Sequence, residues 1–170
     1  MDRPRTILWG AALLTLVFAA MTVRIEVDTD PENMLPSDHP VRALNTEIRD
    51  DFGAHDMIVV GVVADDIATP EILGAVDGLA RTVATDDGVI GDELAWFASA
   101  TGGQADVADQ AAVDTTIATV RADPIMGGNV LSPDGTTAAV FIPLVDKSEA
   151  NSVNDAVDEA IAADPTLSEL

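Results

Sequence analysis

Thr6 to Val23 is an uncharged apolar run, TILWGAALLTLVFAAMTV, bounded by Arg3 and Arg5 on one side and Arg24 on the other. Its eighteen residues, wound as a helix at about 1.5 Å per residue, reach roughly 27 Å, close to the about 30 Å of a bilayer's hydrocarbon. A helix satisfies its backbone amides internally, which any lipid-exposed segment requires. The run therefore predicts a transmembrane helix carrying Thr6, Trp9, Phe18 and Val23, with Trp9 as an aromatic anchor near the cytoplasmic interface. Arg3 and Arg5 set the topology: by the positive-inside rule they hold the short N-terminal side in the cytoplasm, and everything from Arg24 onward lies outside it.

Two other readings compete for this stretch. A cleaved secretory signal also has a basic start and an apolar core, and Phe18-Ala19-Ala20-Met21 is a fair small-residue cleavage neighbourhood, although signal cores usually run only about 7 to 15 residues. A buried soluble helix would keep a polar stripe, whereas the interior polar groups Thr15 and Thr22 make none.

The span leaves about 145 of the 170 residues, enough for one ordinary domain with its own core. There is no cysteine, so no disulfide or thiolate metal site supports that domain and no thiol nucleophile serves it. The formal charge is −22, from 30 acidic residues against 8 basic ones, with Lys147 as the single lysine. Nucleic acid is thereby excluded as a partner, since phosphate binding needs clustered cations. Because the acidity is spread along the whole chain, we read it, as a hypothesis, as adaptation to high salt, where self-repulsion is screened within about 3 Å at 1 M. Equal thermal stability of the soluble part in dilute and molar salt would remove that hypothesis.

After the span, Ile25 and Val27 alternate in a short extended exit, and prolines 31, 36 and 40 forbid a continuing helix. Asp28, Asp30 and Glu32 resemble the start of a calcium loop, but Asn33 stands where glycine is required and His39 where the closing Glu should be, so no metal site is expected. Pro40 opens a short amphipathic helix with Val41, Leu44, Ile48 and Phe52 on one side and Gly53 at its stop. Asp56 to Ala64 reads as a strand buried on both faces. Thr69-Pro70-Glu71 caps and starts a helix to about Thr85, with Ile72, Val76, Leu79 and Val83 as its apolar line. Val89 to Ala98 suggests a second strand with a bulge at Gly91-Asp92. Asp106 to Arg121 suggests a loosely packed or peripheral helix. Ser132-Pro133-Asp134-Gly135 has the pattern of a type I turn in a hairpin between Asn129–Leu131 and Thr136–Leu144. Ser148 then caps a last helix bearing Val153, Val157 and Ile161.

The expected fold class is α+β: one N-terminal transmembrane helix (residues 1–24), a linker with an amphipathic helix (25–55), and an extracytoplasmic α/β domain (56–170). That domain reads as an incomplete ferredoxin-like, split βαβ unit with an inserted helix, lacking its last strand because Asp164 to Leu170 is short and polar. A chain of this order reads as the front part of something longer.

The span, the following VDTDPENMLPSDHPV, the helix ending DDFG and the run DMIVVGVV together resemble the exporters of the resistance-nodulation-division (RND) superfamily. The likeness includes the branch related to mycobacterial large membrane proteins (MMPL) and hopanoid transporters. The motif residues are Asp28, Thr29, Asp30, Pro31, Leu35, Pro36, Phe52 and Gly53, and ADPIMGGNVLSPDGTTAAVFIPL is similar to that family's porter-domain hairpin. The resemblance implies a proton-driven inner-membrane exporter of lipids or other hydrophobic molecules, of which this chain is the first span and most of the first porter loop. It also implies that the chain works with the remainder of a larger transporter or with other transporter subunits. One departure matters: Thr6 to Val23 has no ionisable residue, and a proton path through lipid needs one, so this chain alone is not transport-competent.

No catalytic arrangement stands against this. His39 and His55 are the only imidazoles and read as surface or cap residues, no nucleophile elbow, zinc helix or phosphate loop occurs, and no catalytic residue or cofactor is expected. Neighbouring acids such as Asp50-Asp51, Asp65-Asp66 and Asp86-Asp87 diverge in either a helix or a strand, so they are solvated edges and not paired catalytic carboxylates. The alternative to the exporter is a membrane-anchored or secreted α/β binding module without transport activity.

Overall fold

The computed structural model describes residues 4–22, 36, 39–52 and 55–170. Among them are six α-helices and a two-stranded antiparallel sheet, so the chain is α+β as its sequence predicts. It divides into two units, Met1–Gly53 and Ala54–Leu170.

The first unit holds α1, Pro4–Thr22, and α2, Pro40–Phe52. Proline at the head of each costs no hydrogen bond, because the first turn has no intrahelical acceptor for its amides. In α1 the hydroxyls of Thr15 and Thr22 donate back to the carbonyls of Ala11 and Phe18, at 3.0 and 2.9 Å, which hides the helix's polar atoms against its own backbone. Side chains of α1 are described from Leu8 to Ala20 and at Thr22, and among the described residues no helix is long and apolar enough to cross a membrane. In α2 the amide of Val41 donates to His39 Nδ1 at 3.3 Å, giving that imidazole a capping role.

The second unit is built on β1, Met57–Val63, and β2, Thr137–Pro143, paired antiparallel from Met57 opposite Pro143 to Val63 opposite Thr137. Side chains alternate across a strand, so Ile58, Val60 and Val62 share a face with Ala138, Val140 and Ile142. That face joins one core with α3, Pro70–Val83, through Leu73, Val76, Leu79 and Val83. Helix α3 starts as its sequence dictates: Thr69 Oγ1 accepts from the Ile72 amide at 3.2 Å and Glu71 lies in the first turn. It also packs against α5, Ala150–Ala163, and α6, Pro165–Ser168. Helix α4, Gln110–Ala122, is capped by Asp109, whose carboxylate accepts from the Ala112 amide.

Five expectations are corrected. The β1 strand is not buried on both faces, because Met57, Val59 and Val63 are each more than half exposed. The stretch Val89 to Ala98 is not a strand: a Cβ on Gly91 would collide with the carbonyl of Ala84. The chain bends there, with 3₁₀ turns at Gly91–Glu93 and Phe97–Thr101. Only single bridges remain, Val89 with Leu144 and Ala95 with Phe141. Helix α4 is not peripheral, since Val113 and Val120 are fully buried with Ile117, and the hydroxyl of buried Thr116 donates to the Asp106 carbonyl at 2.8 Å. The cap before α5 is Asp146 in place of Ser148: its carboxylate accepts from the Ser148 amide and hydroxyl and starts a 3₁₀ turn, Lys147–Glu149, that leads into the helix. Residues 164–170 are not a polar tail, because Asp164 caps α6 and Leu167 is buried in the core.

The Ser132–Gly135 turn forms as read, with the Gly135 amide donating to the Ser132 carbonyl at 3.1 Å and Gly135 at φ 76°, where only glycine is unstrained. Its hairpin is short: Leu131 bridges Ala138, and the Ala139 amide donates to Val130.

Candidate functional site

Among the described residues, two surfaces carry unsatisfied chemistry. The first is α1. Leu8, Trp9, Leu13, Leu14, Leu16, Val17 and Phe18 are all exposed, Trp9 at 75% and Phe18 at 60%. Successive positions turn by about 100°, so these residues point to every side of the helix. An apolar surface that encircles a helix leaves it no polar side to turn toward water. Arg5 and Thr6 lie on the helical backbone of α1, while Arg3, Val23 and Arg24 lie outside the described residues.

The second surface is the outer side of β1, where Met57, Val59, Gly61 and Val63 line an apolar face and one edge. On β2 the same face carries Thr137, Ala139 and Phe141, all half-buried. The opposite edge of β2 is covered, since Phe141 exchanges hydrogen bonds with Ala95 at 2.8 and 3.0 Å and Ala139 donates to Val130.

Of the motif residues, Pro36 is exposed and its carbonyl accepts from the His39 amide at 2.9 Å, and Phe52 ends α2. Asp28, Thr29, Asp30, Pro31, Leu35 and Gly53 lie outside the described residues. His55 stands 3.7 Å from Glu93, a long and half-exposed contact.

Charged groups elsewhere are used for local structure. Asp77 takes the Trp96 indole N–H on one oxygen at 2.9 Å and Arg81 Nε on the other at 2.7 Å, while Arg81 Nη2 reaches the Gly103 carbonyl and its guanidinium lies 5.9 Å from the Trp96 ring. Hydrogen bonding to Asp77, and then its charge, hold the Arg81 pKa further above its ordinary value. This cluster ties α3 to the loop after it, and only the Asp77–Arg81 spacing of four was visible in the sequence. Asp123, Asp134 and Asp146 each sit in a turn and accept nearby N–H or O–H groups, which lowers their pKa values. The first-named donors are the Met126 amide for Asp123, the Ser132 hydroxyl for Asp134 and the Ser148 hydroxyl for Asp146. Among the described residues no three His, Asp or Glu side chains converge to hold a metal ion.

No family model matches the chain, no curated protein matches it, and no solved structure matches it.

Proposed function

We propose that the chain is the N-terminal portion of an RND-like, proton-driven exporter of lipids or other hydrophobic molecules. In this reading α1 is the first span and the unit from Ala54 onward is porter-loop structure outside the cytoplasm. The observation that carries the reading is the exposed apolar surface of α1, from Leu8 to Phe18 on all sides. The full run from Thr6 to Val23 is eighteen residues long, within the range of about 17 to 25 that a bilayer needs.

The connectivity of the second unit supports the same reading. β1, α3, the bridged segment Val89–Ala95, β2 and α5 follow one another, with β2 lying between β1 and that segment. In a split βαβ unit a middle strand lies between two others joined through a helix; here β2 takes the middle place, and Val89–Ala95, bridged at single positions and not a strand, stands where the third would be. Transport by this chain alone is not part of the proposal, because no ionisable group lies within Thr6 to Val23 to relay protons.

The absence of cysteine makes topology simple to test. An impermeant maleimide should label an Ala118→Cys variant in intact cells and label Asp2→Cys only after permeabilisation. Equal labelling of both in intact cells would refute the membrane orientation. The exporter and the rival module separate on the genomic sequence beyond the Leu170 codon. Further spans and a second porter loop support the exporter, and an unrelated gene after a stop supports a membrane-anchored or secreted binding module.

A further inference from the structure

We draw no further inference here: the strongest candidate, the groove of about 380 Å³ between the end of α3 and α5, lined by Thr82, Val83, Asp86, Ala156, Glu159 and Ala160 among others, is an unpartnered face of small and acidic side chains, and nothing in the structure shows what covers it.

Discussion

In α3 the apolar residues Leu73, Val76, Leu79 and Val83 fall on one side and are buried, leaving Glu71 and Arg81 at the surface. In α1 apolar residues fall on every side and all those described are exposed. Both helices are rich in hydrophobic side chains, so richness alone does not decide where a helix goes. The angular distribution decides it: a stripe can be covered by one protein core, and a complete cylinder asks for a solvent that is itself apolar.

The sharpest way to break this comparison is to put a charge on each helix. Val76→Asp places an unpaired carboxylate at a fully buried position, and should destabilise the second unit by more than about 4 kcal/mol, abolishing cooperative thermal unfolding followed by circular dichroism. Leu14→Arg alters an exposed position of α1. It should cost about 2.5 to 3.5 kcal/mol of membrane insertion, read as release of chain from sedimented membranes, while the helical signal persists. If Leu14→Arg unfolded the second unit as Val76→Asp does, the contrast between the helices would be lost.

Smaller effects sharpen the picture of α3 and its surroundings. Thr69→Ala removes the acceptor for the Ile72 amide and should lower stability by about 1 kcal/mol, seen as a lower denaturation midpoint at unchanged slope. The weakest effect comes from the turn carboxylates. Asp123, Asp134 and Asp146 have folded pKa values below the usual 3.8. Their contribution is therefore complete above that pH and is lost as pH falls through the folded values. Acid titration of the midpoint should show the decline below about pH 4, and an Asp134→Asn variant should show a shallower one.

Local signals in the sequence were sufficient where the structure is local. Thr69-Pro70-Glu71 fixed the start of α3, Pro40 that of α2, and Ser132-Pro133-Asp134-Gly135 its turn, because each is decided by capping or φ preference within a few residues. The half-exposure of β1 was hidden, since MIVVGVV is apolar at odd and even positions alike and offers no alternation to read. The bend after Ile90 arises from the close approach of Gly91 to the Ala84 carbonyl, a contact made only once α3 is in place. Helix α4 looked peripheral because alanines dilute its stripe and its buried Thr116 finds an acceptor, the Asp106 carbonyl, outside the helix. Of the two candidate surfaces, the α1 run is written in hydropathy. The β1 edge depends on which strands pair, a long-range choice that no short window contains.

The proposal at the centre of the account is that α1 is retained in a bilayer as the first span of a membrane protein. Membranes from cells making the full chain, washed with alkaline carbonate and sedimented, should retain the polypeptide with its N-terminal residues intact by mass spectrometry. Recovery of that same intact polypeptide in the aqueous supernatant would contradict the claim.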